Sequence, residues 1–242
     1  MIRTLGLIKR RADLDRAAFR EHYESVHAPL ALPHMTGLLR YVRYHVESEL
    51  FGRPPFDVVS AFWYRDKAAI DAVVATLEGS EAGAAIRADE LTFMDKPGNR
   101  ILPVSERRIV DGEEGDEHFF LFVRRPTETA RFDASARLYR DRWPSLVAAA
   151  RADWALLRDG FPMGGGEPVW DSVLQLRTER PEAVRDAAVA LDREGHEVVV
   201  VATRRCETLI PAGAQQSKRV RRSGGRIWQV SFGARKMRFR TR

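Results

Sequence analysis

Apolar and polar positions alternate over Ile2–Lys9, which predicts a first strand, and Arg-Arg-Ala-Asp after it predicts a turn. Asp13 is the expected N-cap of the helix that follows, with Asp15 adding charge suited to the helix N-terminus. At 100° per residue, Val26, Tyr23 and His27 fall in the same sector as Phe19, so His27 borders the apolar face. Pro29 predicts the end of this helix, because the residue before a proline avoids helical geometry. His27 would then lie in the last turn, where unpaired carbonyls and the helix dipole favour an imidazolium.

The pattern continues with a strand from Leu38 to about Glu47, a proline-rich connection over residues 51–56, and a strand over Val58–Arg65. Ala69, Ile70, Val73, Val74 and Leu77 then follow helical spacing; a second short helix is predicted over Glu81–Phe93, and a strand over Arg100–Ile109. The order strand, helix, strand, strand, helix, strand is the split βαβ or ferredoxin-like arrangement. After the acidic stretch DGEEGDE at 111–117 the order begins again. Phe119–Arg125, a helix over Phe132–Ala150, Trp154–Arg158, Val169–Thr178, a helix over Pro181–Glu194 and Val198–Arg205 repeat it, with ARLYRDRWPSL lying over REHYESVHAPL. The expected fold class is therefore α+β, two tandem ferredoxin-like (βαββαβ) repeats forming a pseudo-dimer. The expected divisions are a first repeat at 1–110, an acidic linker at 111–117, a degenerate second repeat at 118–211 and a basic C-terminal tail at 212–242. A sheet covered by helices on one face leaves the other apolar, and a second copy can bury it.

Composition adds four constraints. The 242 residues are 44% hydrophobic and 31% charged, as in an ordinary globular protein. A single cysteine, Cys206, excludes an internal disulfide and any multi-cysteine metal site, which suits a reducing compartment. Without a run of roughly 18 apolar residues there is no predicted membrane helix, and the short apolar start reads as a strand rather than a signal, so a cytoplasmic location is expected. The net charge of +6 is uneven: residues 212–242 carry ten Lys and Arg and no acidic residue, leaving thirty basic against thirty-four acidic residues before them. The high pI belongs to the tail and does not make the whole chain a nucleic-acid binder. Trp228, Phe232 and Phe239 interleave with the tail's basic residues, which leaves open base stacking, docking on an acidic protein partner, or a frayed terminus.

Four histidines lie between residues 22 and 45 but without a recognised ligand spacing, so no metal is expected. Gly164-Gly165-Gly166 lacks the ending of a phosphate loop, and no nucleophile elbow or dinucleotide fingerprint is present, so nucleotide cofactors are not expected. The candidate chemistry is His27 as acid, base or anion binder, with Tyr23 one turn earlier and His34 after Pro33 as second partner. Phe19, Tyr41, Trp63 and Phe93 are the candidate walls of a substrate pocket. Tyr41 and His45 share one face of the second strand, Arg40 and Tyr44 the other, and the pattern alone does not say which face meets the helices.

Leu7-Ile8-Lys9-Arg10, Phe19-Arg20-Glu21-His22-Tyr23 leading to Val26-His27-Ala28-Pro29-Leu30, Gly37–Val42, and Phe56-Asp57 followed by Phe62-Trp63-Tyr64 resemble the EthD-domain family of the dimeric α+β barrel superfamily. The resemblance is good over about 2–110 and degenerate over 118–211. It implies a sheet-and-helix cavity in each half and relatives that include polyketide cyclases, dehydratases and decarboxylases, cofactor-free monooxygenases, lactone isomerases and haem enzymes such as chlorite dismutase. The family histidine falls on His27; in the second half the corresponding position holds Trp143, which cannot shuttle protons. One active pocket and one supporting half are expected. The resulting expectation is a cofactor-independent, lyase- or cyclase-type tailoring enzyme acting on an aromatic or polyketide-like small molecule. Alternatives are a cofactor-free monooxygenase on the same substrates, a ligand-binding or recruitment protein, or a haem protein. The expected partners are the small-molecule substrate, an acidic protein at the tail, and a further copy of the chain.

Overall fold

The computed structural model describes residues 1–108, 117–124, 150–156, 170–208 and 210. Its strands are β1 (Ile2–Ile8), β2 (Leu38–Phe51), β3 (Val58–Tyr64), β4 (Arg100–Arg108), β5 (Glu117–Arg124), β6 (Ala150–Leu156), β7 (Ser172–Leu176) and β8 (Glu197–Thr208). The helices are α1 (Arg16–His22), α2 (Ala28–Ala31), α3 (Lys67–Gly79), α4 (Glu81–Phe93) and α5 (Pro181–Arg193). The helix expected over 132–150, Trp143, the Gly164–Gly166 loop and the basic tail lie outside the described residues, although Ala150 itself begins β6.

The strands close into an antiparallel barrel in the order β1-β3-β2-β8-β5-β7-β6-β4. In the first half β4, β1, β3 and β2 are successive neighbours, and in the second β8, β5, β7 and β6 are. The halves meet at two seams, β2 on β8 and β6 on β4. Strand alternation sorts the side chains. Leu5, Leu7, Val42, Tyr44, Val59, Ala61, Trp63, Phe120 and Val201 face inward and form one core inside the barrel. Ile8, Tyr41, Val58, Phe62 and Tyr64 face outward and meet Phe19, Tyr23, Ala69 and Phe93 from the helices. A second outer layer, with Leu121, Leu174 and Val200, packs under α5, which contributes Val184 and Leu191.

Helix starts follow local chemistry. Asp15, not the expected Asp13, caps α1 by accepting from the Ala18 N–H at 2.7 Å, while Asp13 is taken up by an ion pair with Arg11. Asp66 and Ser80 cap α3 and α4. Asp57 is the main anchor under α1: it accepts from the backbone N–H of Arg10 at 3.1 Å, from Arg10 Nε at 3.0 Å and from Arg16 Nε at 3.3 Å. It thereby ties the end of β1 and the start of α1 to the start of β3.

Pro29 does not end the helix. Residues Tyr23–His27 form a π-helical turn in which the Ala28 N–H reaches back five residues to the Tyr23 carbonyl, and α2 follows directly. Pro29 then falls in the first turn of α2, where a missing N–H costs little. The widened turn brings His22 and His27, five residues apart, onto one neighbour, Asp89 of α4.

Candidate active site

The layer between α1, the π-turn and the outer face of β2 holds a continuous set of aromatic and titratable side chains. Phe19 and Phe93 are each 1% exposed, and full burial of such a ring is worth about 2–3 kcal/mol. Phe93 packs against Phe19 at 5.5 Å between centroids, against Tyr23 at 5.6 Å, against His27 at 5.1 Å and against His22 at 4.5 Å. Four of the residues singled out from sequence are thus brought into one cluster, with Phe19, Tyr23 and His27 all against Phe93, and Tyr41 joins them through Tyr23.

His27 is 6% exposed and donates from Nδ1 to Asp89 Oδ2 at 2.9 Å; His22 donates from Nε2 to the other oxygen at 2.7 Å. The carboxylate fixes the His27 tautomer and leaves Nε2 with the lone pair. Burial lowers the His27 pKa from its ordinary value more than the Asp89 hydrogen bond raises it. The imidazolium expected from a helix C-terminus is therefore corrected. The chain continues helical through α2, so no free carbonyl end is presented at His27, and desolvation favours the neutral ring.

The Tyr23 hydroxyl lies 2.9 Å from that of Tyr41 and 3.1 Å from Ser60 Oγ. Burial raises both phenol pKa values, that of Tyr41 strongly, so both stay protonated as hydrogen-bonding groups. His34 lies in a short 3₁₀ turn over Leu32–His34, and among the described residues no hydrogen bond or ring contact joins it to His27 or Tyr23. Trp63 is on the opposite face of the sheet. It points into the barrel, donates from Nε1 to Glu106 at 3.0 Å and carries Arg40 over its ring at 4.7 Å. The outward positions on β3 belong to its neighbours Phe62 and Tyr64.

Beside Tyr23 lies a group that the sequence pattern left unassigned. Glu24 accepts two hydrogen bonds from Arg43, from Nε at 2.9 Å and from Nη2, and a third from His45 Nε2 at 2.7 Å. Burial works upward on the Glu24 pKa, but the Arg43 and His45 hydrogen bonds outweigh it and hold it at about 2. His45 is 2% exposed; burial lowers its pKa more than Glu24 raises it, and its buried Nδ1 has no partner among the described residues. An unmatched buried group of this kind costs about 1–3 kcal/mol. The signal was present in the alternation Tyr41, Arg43, His45 on one face of β2, but pairing it with Glu24 required the helix–strand packing.

One ligand atom from each of Glu24, His45 and Cys206 lies within 4.8 Å of the others. A cation there would compete with the Arg43 guanidinium already spanning both Glu24 oxygens, and burial raises the Cys206 pKa so that it stays a thiol. The donor set suits an arginine-neutralised carboxylate better than a metal.

A cavity of about 190 Å³ opens between α1 and β2. Phe19, His45, Val46 and Asp57 are its buried lining; Arg16, Ala17, Arg20 and Glu47 form the more exposed rim, and His27 does not line it. Among the described residues no helix is long and apolar enough to cross a membrane.

The model of the EthD domain family matches residues 11–97, which contain α1, the π-turn, β2, β3, α3 and α4. This part of the chain is an EthD domain. No curated protein sequence matches the chain. Among solved structures, an anthrone oxidase-like protein is 14% identical and aligns with a TM-score of 0.55, covering 90% of this chain and 95% of that one. The similarity shows a shared fold that extends well beyond the EthD domain. A candidate monooxygenase from Lactobacillus acidophilus NCFM is 10% identical, with a TM-score of 0.43 over 83% of this chain and 92% of that one. A candidate chlorite dismutase is 10% identical, with a TM-score of 0.45 over 84% and 95%. Every side chain of the His27 layer described above except Cys206 belongs to the EthD domain.

Proposed function

We propose that this chain is a tailoring enzyme that acts by proton transfer on an aromatic or polyketide-like small molecule. The observation that carries the reading is the His27–Asp89 pair, 2.9 Å apart and packed between Tyr23 and Phe93. A neutral imidazole whose Nδ1–H is held by a carboxylate is built to take a proton at Nε2 and give it back. Substrates of this class carry acidic C–H and phenolic groups, so placing one proton and holding an enolate in a dry, aromatic layer is enough for cyclisation, dehydration or decarboxylation. The second half, with the strand order of the first, is read as a degenerate copy that completes the barrel and supports one working site.

The test is turnover by wild type and His27→Ala over a panel of phenols, anthrones and β-keto aromatic compounds. Loss of an acid–base group is expected to lower kcat/KM by about 10²- to 10⁴-fold; an unchanged kcat/KM removes His27 from the chemistry. The name of the anthrone oxidase-like neighbour favours a second reading, in which the carbanion formed at the same site reduces O₂. Oxygen uptake coupled to anthrone consumption distinguishes this from a rearrangement that uses no O₂.

A further inference from the structure

We propose that the cavity over His45 binds a neutral single-ring phenol or enol and that His45, oriented by Glu24, accepts its hydroxyl proton. The inference rests on the helix–sheet layer being a small-molecule site, but not on any role of His27.

Three observations lead there. First, the His45 Nε2–H is committed to Glu24 at 2.7 Å, so Nδ1 carries the lone pair; it is buried and lacks a partner among the described residues. Buried polar atoms are almost always matched; the His45 ring belongs to the cavity lining while Nδ1 itself is covered, and a ligand O–H that displaces that cover is the complementary group. Second, the carboxylate behind the imidazole is itself fixed by Arg43, whose Nε and Nη2 donate to its two oxygens. That is the arrangement that holds a histidine tautomer and stabilises the imidazolium formed when it takes a proton.

Third, size and charge select the ligand. A cavity of about 150 Å³ takes a benzene ring, so one of about 190 Å³ takes one substituted ring, and a fused polycycle would have to project past Arg16 and Arg20. Arg16 and Arg20 are balanced in the lining by Glu47 and Asp57, which pair with them, so the cavity does not select an anion. The ligand enters neutral. In the transfer its O–H bond breaks, an N–H bond forms at Nδ1, and the electron pair stays on the ligand oxygen as phenolate or enolate. The imidazolium keeps its Nε2–H on Glu24. Arginine N–H groups of Arg16 and Arg20 not used by Glu47, Glu49 or Asp57 are left to meet the oxyanion.

The experiment uses the full chain with ¹⁵N-labelled histidine, titrated with p-cresol and with toluene, which has the same ring and methyl group without the hydroxyl. The expected result is that p-cresol moves the His45 Nδ1 resonance and binds about tenfold tighter than toluene, the worth of one added hydrogen bond. His45→Leu is expected to erase that preference and His27→Ala to keep it. Equal binding of the two probes, no binding of either, or a p-cresol preference that survives in His45→Leu would overturn the proposal. The wild-type comparison decides the matter even if His45→Leu does not fold. Because His27→Ala is read here by p-cresol selectivity and in the preceding test by turnover, either reading can fail while the other stands.

Discussion

Asp89 on α4 accepts from His27 Nδ1 at 2.9 Å while its second oxygen takes His22 at 2.7 Å, so one carboxylate on a neighbouring helix orients the imidazoles at the end of α1 and at the end of the π-turn. Asp89→Asn keeps the shape and removes the charge. We expect kcat to fall by about 10²-fold or more with little change in KM. The acidic limb of the pH–rate profile should also move to lower pH, because Asp89 raises the His27 pKa against burial. Steady-state kinetics across pH check both; an unshifted limb would mean that another group titrates.

Stability should respond to acid in two steps. His27 and His45 both have folded-state pKa values below the free value of 6.5, so the unfolded chain binds protons first as pH falls. Their contribution is complete above about pH 6.5 and declines below it until the folded values are passed. Glu24 contributes above its free value of 4.5, and that share is lost between 4.5 and about 2. Urea midpoints measured from neutral pH downward should fall in both windows, and His45→Leu should flatten the first.

Arg43 is 2% exposed and its charge is met by Glu24. Glu24→Ala leaves a buried guanidinium without its acid and should destabilise the fold by about 3 kcal/mol. The double variant Glu24→Leu with Arg43→Met removes both charges and should recover most of that loss. Chemical denaturation of the two variants measures the difference; a double variant as unstable as the single one would show that the pair is favourable beyond its own desolvation.

Trp63 faces the barrel interior, so Trp63→Phe should leave turnover within about twofold while costing about 1–2 kcal/mol through the lost bond to Glu106. Phe93→Ala, which empties the layer around His27, should lower both stability and activity. Parallel kinetics and melting curves separate the two faces of the sheet.

Much of this was legible before any coordinates. The period-2 and period-3.6 patterns place β1 to β5, β7, β8, α1, α3, α4 and α5 within a few residues but not α2 or the start of β6, and the helical sector around Phe19 brings Tyr23 and His27 to the buried face. What escaped has definite physical reasons. A proline forbids an α-helical N–H but not a π-turn just before it, so the helix end at Ala28 was misplaced, and with it the charge state of His27. Alternation along β3 put Trp63 and Phe62 on opposite faces without saying which face meets the helices. Glu24, Arg43 and Asp89 act through pairs between elements, and such pairs leave no periodic trace in a single chain.

Ring closure of the barrel also bears on self-association through strand edges. Every described strand has a partner on both sides, so among the described residues no strand edge leaves its backbone donors and acceptors bare to recruit another molecule. A fragment stopping after β4 would lose that protection at both seams at once. The long β2, normally zipped to β8 from Tyr41 to Phe51, and β4, normally zipped to β6, would become adhesive margins. Such a fragment is expected to satisfy them by pairing with its own kind.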